Sequence, residues 1–425
     1  MSQATRILTA LVAGLLLGIG LAYWSPATDA ALLAVAEPVG TLWLNALQMT
    51  IVPLVVGLLV TGIAASAEAA RANRLASRAL VIFIALLWTS SALAAVIMFV
   101  LLDLFPLGAA SAEALRSAVA SAGSVGEVPP FADFIVAMVP TNPLNAAASG
   151  AFLPLIVFTV VFAFAVTRLP DAPRKLLTGV FQAIADTMLI VIGWVLWLAP
   201  IGVFALAFGV GAKAGAAAFG ALVHYVLIVT ATGAAVTLLA FPVAIFGGRL
   251  RLGDYLRAMT QPAAVAVSTQ SSLASLPAML RASERLNIPV ATSGVVLPLA
   301  VAVFRYTGPA MNLAVALYVA HIFGVELTPT QVAIGIAAAA VTTMGSVSLP
   351  GTISFVSAIA PIALAMGLPI GPLALLVAVE TFPDIMRTLG NVSMNVAATS
   401  AIAKRTGGDR TAESEADEIL ARAPE

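Results

Sequence analysis

Residues 380–395 read Glu-Thr-Phe-Pro-Asp-Ile-Met-Arg-Thr-Leu-Gly-Asn-Val-Ser-Met-Asn, inside an apolar segment, 372–403, that is otherwise free of charge. Two acids, a guanidinium and two carboxamides recur there every three or four residues, at Glu380, Asp384, Arg387, Asn391 and Asn395. At about 100° per residue these positions share one narrow face of a helix, which we call the polar stripe. Because ionisable groups at hydrocarbon depth are costly and usually mark a pathway or a binding site, the polar stripe is the predicted functional site.

The composition predicts a membrane protein. Of 425 residues, 61% are hydrophobic and 9% are charged, and the mean hydropathy is +1.06; a soluble domain carries about 25% charged residues. The zero net charge argues against a nucleic-acid partner, and the lack of cysteine excludes disulfides and thiolate chemistry. With two histidines and no His-Glu-x-x-His or Gly-x-Ser-x-Gly motif, a membrane-embedded enzyme is not expected.

Apolar windows predict most of the membrane spans, and basic residues predict their orientation. The first six spans are 7–24, 39–65, 79–102, 132–167, 176–208 and 219–247. Arginine and lysine cluster after the second, fourth, sixth and last spans, which places these loops and both termini in the cytoplasm. The loop 105–131 is predicted to be external and flexible, and the charged tail 406–425 to be disordered or a short surface helix.

Two later segments enter and leave by the same face if the charge rule is to hold. The first, 255–280, has a serine-rich centre, 268–277, and basic residues at both ends; the second, 329–368, has a polar centre at 342–351. With spans at 288–323 and 370–403, this predicts an all-α protein of eight transmembrane helices and two re-entrant hairpins. The hairpin tips share Ser-Leu-Pro, which indicates an inverted repeat whose broken helices line a substrate cavity.

Ordered motifs make the chain resemble the dicarboxylate/amino-acid:cation symporters, the glutamate-transporter family, over about its whole length. They are Leu-Gln-Met-Thr-Ile-Val-Pro at 47–53, Val-Pro-Thr-Asn-Pro at 139–143, Ala-Pro-Ile-Gly-Val-Phe at 199–204, both hairpin tips, and Asp-x-x-Arg-Thr-x-x-Asn in the polar stripe. The resemblance implies a homotrimer in the bacterial inner membrane that works as an elevator. It implies scaffold helices in 1–78 and 132–212, transport-domain elements in 79–131 and 213–405, and a cytoplasmic tail at 406–425.

The resemblance also implies an acidic substrate. Arg387 matches the arginine that binds a side-chain carboxylate, and a guanidinium makes a bidentate pair that a neutral substrate cannot complete. Asp384 matches the residue that holds the amino group, which favours L-aspartate or L-glutamate over a C4-dicarboxylate. The complete predicted substrate set is Arg387, Asp384, Thr388, Asn391, Ser271, Ser272, Ser348, Leu349, Pro350, Gly351 and Arg305.

The ion sites depart from the family pattern. Phe-Arg-Tyr-Thr-Gly at 304–308 stands where the family has Asn-Met-Asp-Gly-Thr, and Asn395 replaces a sodium-binding aspartate. Glu380 replaces a shorter aspartate, and Pro383 is expected to kink the helix. Since a phenylalanine, an arginine and a tyrosine supply no oxygen cage, the usual sodium scheme is not expected, and no metal or cofactor site is predicted. The predicted coupling residues, for a proton or a cation, are Glu380, Arg305, Asn395, Ser90 and Ser91.

Several alternatives remain open at this stage. Arg305 is either a tethered cation in place of an ion or simply the partner of Glu380, while Glu380 is the candidate proton carrier because burial favours a neutral carboxyl. Arg387 and Asp384 are either substrate ligands or a structural ion pair. A C4-dicarboxylate symporter, an anion channel and a substrate sensor are the alternatives to an acidic amino-acid symporter, and the co-transported ion is a proton or sodium.

Overall fold

A computed structural model describes residues 3–72, 74–108, 111–113, 136, 139–149, 151–345 and 351–405. Every regular element in these ranges is helical. Within them, six helical stretches are long and apolar enough to cross a membrane: Thr5–Trp24, Thr28–Glu68, Arg74–Leu104, Asp171–Trp197, Phe219–Gly247 and Val290–Phe323. The predicted all-α, multi-pass architecture is therefore confirmed at this level. The predicted external loop lies mostly outside the described residues, as do the tip 346–350 and the tail 406–425.

The described helices are labelled in chain order. They are α1 Gln3–Trp24, α2 Pro26–Gln48, α3 Ile51–Ala72, α4 Arg74–Leu104, α5 Pro143–Ala148, α6 Phe152–Val166, α7 Asp171–Trp197, α8 Ala199–Ala214, α9 Ala216–Thr237, α10 Leu252–Thr269, α11 Leu276–Arg285, α12 Val290–Val303, α13 Thr307–Phe323, α14 Pro329–Gly345, α15 Gly351–Ala365, α16 Gly371–Leu376 and α17 Thr381–Arg405. A short turn, Ala240–Pro242, and a π-helical turn, Val243–Gly247, extend α9 toward the start of α10.

The second helix of the structure begins earlier than the span 39–65 predicted from hydropathy. The helix begins at Pro26, which suits a first helical position because its missing N–H needs no partner there. Asp29 and Glu37 lowered the hydropathy of this first part, and Glu37 pairs with Lys213 of α8 at 2.7 Å. A break at Met49–Thr50, where the Thr50 hydroxyl donates to the Leu47 carbonyl, separates α2 from α3.

The fourth and fifth predicted spans are not single helices. The described part of 132–167 consists of α5 and α6, separated by residues 149–151. The predicted span 176–208 divides at Leu198 into α7 and α8. Pro200 is in the first turn of α8, and it cannot donate the hydrogen bond that would continue α7. The motif beginning at Ala199 thus starts a helix.

Glycines bring α8 against α1. A Cβ added at Gly14 or Gly18 would overlap the backbone of α8, and one added at Gly211 would overlap the Leu15 backbone. Gly14 and Gly18 are four residues apart and so lie on one face of α1. Small residues at this spacing let helix backbones approach closely in a membrane, where the hydrophobic effect does not drive association. This contact fixes α8 beside the first helix of the chain.

The second half of the chain is built from interrupted helices. α10 and α11 form an antiparallel pair joined at 270–275, with Gln270 in the left-handed region at φ 51°. The predicted span 288–323 is broken at Phe304–Tyr306, where Phe304 is extended with φ −112° and ψ 90°. Both α10 and α12 pack against α17, which is also covered by α9. The polar stripe is therefore enclosed by broken helices rather than by lipid-facing ones.

The last predicted span is also interrupted, but not where the sequence placed the kink. A 3₁₀ turn, Val377–Val379, separates α16 from α17, so the chain bends before Glu380. Pro383 is the third residue of α17, within the first turn, where a missing backbone N–H costs no intrahelical hydrogen bond. The predicted kink between Glu380 and Asp384 is therefore wrong: the break lies one turn earlier, and the Asp384 N–H donates to the Glu380 carbonyl at 2.9 Å.

Candidate functional site

Three charged side chains of the polar stripe meet in the interior. Arg387 Nη1 lies 2.6 Å from Glu380 Oε1 and 3.3 Å from Asp384 Oδ1. Tyr225, on α9, donates its hydroxyl hydrogen to Glu380 Oε2 at 3.2 Å. Glu380 is fully buried and Asp384 is 3% exposed, so their charges are stabilised by the guanidinium and by Tyr225 rather than by water.

Arg387 keeps unused hydrogen-bond donors despite its burial. Its side chain is 12% exposed, yet neither Nε nor Nη2 has a hydrogen-bond partner within the described part of the chain. These two nitrogens form one edge of the guanidinium, the edge that accepts both oxygens of a carboxylate at once. A buried donor without a partner costs about 1–3 kcal/mol, more for a charged group. The free edge is thus suited to an anionic ligand.

Arg305 adds a second cation to this cluster. It belongs to the break between α12 and α13 and interacts electrostatically with Asp384, attractively, and with Arg387, repulsively. The groups found around Glu380 are instead Arg387, Asp384 and Tyr225. Arg305 therefore lies close enough to Asp384 for their opposite charges to attract each other. The four charges formally cancel.

The break between α12 and α13 is held against the polar stripe by hydrogen bonds of Thr307. Asn391 Oδ1 accepts from the Thr307 N–H at 2.9 Å and from the Thr307 hydroxyl at 2.8 Å. The same hydroxyl lies 2.6 Å from the Arg387 carbonyl. Asn391 therefore caps the N-terminus of α13 from a neighbouring helix, satisfying a backbone donor that has no acceptor within α13.

Replacing Gly390 with alanine is expected to lower the stability of the protein. An added Cβ would overlap Thr237 and Thr307, and overpacking of this kind costs about 1–3 kcal/mol. Gly193→Ala in α7 is the matched control, because a Cβ there meets nothing within 4 Å and alanine favours a helix. Thermal unfolding in detergent should show a lower Tm for Gly390→Ala alone. Equal Tm values for the two variants would contradict the close packing.

Asn395 lies where the family resemblance placed a sodium ligand. In the amide orientation that satisfies both of its ends, its nitrogen donates to the Phe304 carbonyl at 3.3 Å and to the Asn391 carbonyl at 3.1 Å. The neighbouring Tyr306 carbonyl accepts from the Ser90 hydroxyl at 2.5 Å. The Phe304 ring stacks on Phe83 of α4, with centroids 4.2 Å apart. The carbonyl oxygens of Phe304, Asn391 and Tyr306 thus already accept hydrogen bonds from side chains.

The remaining predicted site residues lie partly beside Arg387 and partly in neighbouring helices and the first hairpin tip. Thr388 is buried beside Arg387 at 4% exposure. Ser91 donates to the Ile336 carbonyl of α14 at 3.1 Å, and Ser90 ties α4 to the break at 304–306. Ser271 closes the first hairpin tip by accepting from the Ala274 N–H and the Ser275 hydroxyl. Ser272 is 7% exposed in that tip. Ser348, Leu349 and Pro350 lie outside the described residues, and Gly351 begins α15.

Two residues that contact the polar stripe were not predicted as site residues from the sequence. Tyr225 lies in an apolar helix with no polar periodicity, and Thr307 was seen only as part of an altered motif. A weak signal existed for each. Tyr225 follows His224 in a segment with few polar residues, and Thr307 precedes Pro309 as Thr381 precedes Pro383, which marks a second helix start with the same pattern.

The chain is similar in sequence to known membrane transport proteins. The model of the sodium:dicarboxylate symporter family matches residues 4–405. The proton/glutamate-aspartate symporter of Escherichia coli (strain K12) is 30% identical, over 95% of this chain and 92% of that protein. The C4-dicarboxylate transport protein of Anaeromyxobacter sp. (strain K) is 28% identical, over 98% and 91%. The proton/sodium-glutamate symport protein of Bacillus subtilis (strain 168) is 26% identical, over 95% and 92%.

A multi-pass helical architecture with a buried charge cluster is compatible with a secondary transporter, and the matched proteins are transporters rather than enzymes. The chain belongs to the sodium:dicarboxylate symporter family, because that family's model covers nearly its whole length. The prediction from the sequence motifs is thereby confirmed.

Proposed function

We propose that this protein is a proton-coupled symporter of acidic amino acids, L-aspartate or L-glutamate. One observation carries the proposal: Arg387 is buried, its Nε and Nη2 have no partner among the described residues, and it lies next to the carboxylates of Asp384 and Glu380. The free edge of the guanidinium fits a carboxylate, and Asp384 fits an ammonium group. An α-amino dicarboxylic acid presents both groups within one small molecule. The glutamate and glutamate-aspartate symporters among the relatives support this substrate class.

The bound substrate would contact two oppositely charged residues of the polar stripe. Its side-chain carboxylate would bind Arg387, while its ammonium group would lie against Asp384. Thr388, the serine-rich first tip and residues 348–351 would complete the enclosure, as the resemblance implies. Arg305 would balance the charge of Asp384 and act as a tethered cation, since the two interact electrostatically.

Charge balance supports Glu380 as the proton carrier. The cluster of Glu380, Asp384, Arg387 and Arg305 is formally neutral, so an acidic amino acid of net charge −1 would leave one negative charge in a site of low dielectric. Uptake of one proton by Glu380 restores neutrality. It also weakens the attraction between Glu380 and Arg387, which frees the guanidinium for the substrate carboxylate. One proton per substrate is therefore the minimum coupling that the geometry supports.

Sodium fits these residues poorly. Hard cations take several oxygen ligands, but the carbonyls of Phe304, Asn391 and Tyr306 already accept hydrogen bonds from Asn395 and Ser90. The amide nitrogen of Asn395 lies between two of them as a built-in donor. No transport step is assigned to sodium.

A C4-dicarboxylate symporter is the second candidate. It is favoured by the C4-dicarboxylate transport proteins among the relatives and by the presence of two arginines, Arg305 and Arg387, around the site. Against it stands Asp384, whose negative charge repels a dianion that has no ammonium group. An anion channel or a sensor remains a further outcome, recognisable as current or binding without proton-driven uptake.

The architecture proposed for this activity is an elevator. Eight transmembrane helices and two re-entrant hairpins would divide into a scaffold, 1–78 and 132–212, and a moving domain, 79–131 and 213–405, with a cytoplasmic tail at 406–425. The protein would be a homotrimer in the bacterial inner membrane with both termini in the cytoplasm. The family resemblance and the distribution of basic loops support this arrangement.

Purified protein in liposomes is expected to accumulate labelled aspartate or glutamate under an inward proton gradient. A sodium gradient alone should give no accumulation, because Asn395 and Ser90 occupy the carbonyls that would bind the ion. Glu380→Gln should lose proton-driven net uptake and retain exchange of internal for external substrate. Asp254→Asn, at an exposed position in α10, is the charge-matched control. Uptake driven by sodium and insensitive to the proton gradient would contradict the proposal.

A further inference from the structure

A cavity separate from the polar stripe lies where three elements meet at one end of the protein. Its volume is about 560 Å³, within the range of about 300–1,000 Å³ that is typical of small-molecule sites. The link 248–250 after the π-helical turn, the turn 286–289 between α11 and α12, and the end of α17 line it. Lys404, one of its lining residues, is nine residues beyond Asn395, so more than two helical turns separate it from the polar stripe.

The cavity is at the level where several membrane spans end. The apolar helical stretch Phe219–Gly247 ends one residue before Gly248, which lines the cavity, and the stretch Val290–Phe323 begins one residue after Pro289, which also lines it. The apolar segment 372–403 likewise ends next to Lys404. Helix ends at a common level indicate the headgroup region of the bilayer, and the predicted orientation puts this end on the cytoplasmic side.

Two cationic side chains, those of Arg249 and Lys404, line the cavity. Both are exposed, and the ion pairs between described residues include neither of them. The nearby acids Asp254 and Glu284 are exposed and do not line the cavity, so the lining residues carry a formal charge of +2. A guanidinium can bind two oxygens of a phosphate at once, and an ammonium group adds a second charge-assisted contact.

The backbone around the cavity is held in a defined conformation. Arg249 and Asn287 both have φ 54°, and they are two of the three non-glycine residues with positive φ in the described part of the chain. The Asn287 N–H donates to the Glu284 carbonyl at 3.0 Å. Gly248 lets the link pack directly on α17, since an added Cβ would overlap the Ser400 side chain. Because packing fixes these turns, the cavity is a formed site rather than a gap between mobile loops.

Apolar side chains supply much of the remaining wall. Leu250, Leu286 and Ile288 come from the link and the turn, beside the two cations. A free inorganic anion gains nothing from an apolar wall, whereas a phospholipid presents a phosphate joined to glycerol and acyl carbons. The combination of a cationic pair and apolar walls at headgroup level therefore favours a lipid over a free anion.

We propose that this cavity binds an anionic phospholipid. Its phosphate lies between Arg249 and Lys404, and its glycerol and first acyl carbons pack against Leu250, Leu286 and Ile288. The bound lipid joins the link after α9, the start of α12 and the end of α17, three helices that surround or carry the polar stripe. The proposal does not depend on the transported substrate or on the coupling ion.

The binding test uses the full-length protein in a neutral detergent, titrated with dihexanoyl phosphatidylglycerol. This soluble anionic lipid should raise the Tm, because a ligand that binds only the folded state stabilises it. Dihexanoyl phosphatidylcholine and inorganic phosphate at the same concentration should raise it much less. An equal rise with the phosphatidylcholine would overturn the requirement for an anionic headgroup. An equal rise with inorganic phosphate would identify a free-anion site and overturn the lipid assignment.

Paired charge variants locate the site. Arg249→Gln/Lys404→Gln should weaken phosphatidylglycerol binding, measured by isothermal titration, at least about tenfold, because two charge-assisted contacts are lost. Arg251→Gln/Arg405→Gln is the matched control: it removes the same charge from exposed neighbours that do not line the cavity, and it should bind normally. The Tm without lipid should be nearly unchanged in both. Unaltered affinity in the first variant, or an equal loss in both, would overturn the cavity as the site.

The acidic part of the tail is the competing occupant. Glu413, Glu415, Asp417 and Glu418 follow Arg405 within thirteen residues, and their charge would also suit the two cations. A full-length variant with these four acids replaced by their amides should bind phosphatidylglycerol with unchanged affinity. Binding that becomes more than about tenfold tighter would make the tail the resident ligand and overturn the lipid proposal.

Discussion

Arg387→Met should abolish transport of aspartate and glutamate. The substitution removes the only side chain of the polar stripe that can bind a carboxylate bidentately. Losing one partner of a buried charged pair costs about 2–5 kcal/mol, so binding should weaken about 30-fold to several-thousand-fold at 1.4 kcal/mol per factor of ten. Isothermal titration of the detergent-solubilised protein with aspartate would measure this loss. Binding within about threefold of the unaltered protein would exclude Arg387 as the substrate ligand.

Stability must be separated from binding in that experiment, because Arg387 also neutralises Glu380. Arg387→Met leaves a fully buried carboxylate without its cation, a change that costs about 3–5 kcal/mol when the charge cannot be relieved. The double variant Arg387→Met/Glu380→Gln should recover much of the lost Tm, since the remaining amide is neutral. Substrate binding should stay absent. Recovery of both properties would support the alternative in which the pair is merely structural.

Asp384→Asn should separate the two substrate classes. The asparagine keeps the size of the side chain but loses the charge that would bind an ammonium group. Since hydrogen bonds to charged groups are worth about 1.5–3 kcal/mol, affinity for aspartate and glutamate should fall about 10- to 100-fold. Succinate and malate, which lack the ammonium group, should bind as well as before or more tightly, because a negative charge beside the site is gone.

The measurement for Asp384→Asn is competition of each unlabelled acid against labelled substrate, with Asp254→Asn as the surface control. An equal loss for aspartate and succinate would mean that Asp384 maintains the site through Arg387 and Arg305 rather than contacting the amino group. Strong binding of succinate by the unaltered protein, together with weak binding of aspartate, would assign the chain to the C4-dicarboxylate transporters of the family instead.

Much of the site could be predicted from residue spacing, because the residues of the polar stripe are close together in the sequence. Glu380, Asp384 and Arg387 are within eight residues, and helical periodicity brings them to one face whatever surrounds them. The observed contacts of Arg387 with both acids agree with that expectation. The predicted kink at Pro383 failed because spacing alone does not tell whether a proline is inside a helix or in its first turn, where it is tolerated.

Contacts between different helices could not be predicted from residue spacing. Tyr225 reaches Glu380 from 155 residues away, and Thr307 reaches Asn391 over 84 residues. The division of the fifth predicted span at Leu198 and the glycine contact between α1 and α8 likewise depend on backbone packing. Hydropathy windows average over such breaks, since a broken helix and a continuous one have the same composition.

By itself, the sequence determined that the chain is a polytopic helical membrane protein and that its charges lie on one face of the last helix, because composition and periodicity are properties of single segments. The transporter family was indicated by the resemblance of its ordered motifs. Only the tertiary structure decided what each polar group contacts. It turned Asn395 toward two carbonyls and Asn391 toward the start of α13, left one edge of Arg387 without a partner among the described residues, and brought Tyr225 to Glu380. Hydrogen bonds and ion pairs act over a few ångströms, so their partners are defined only when the helices are packed together.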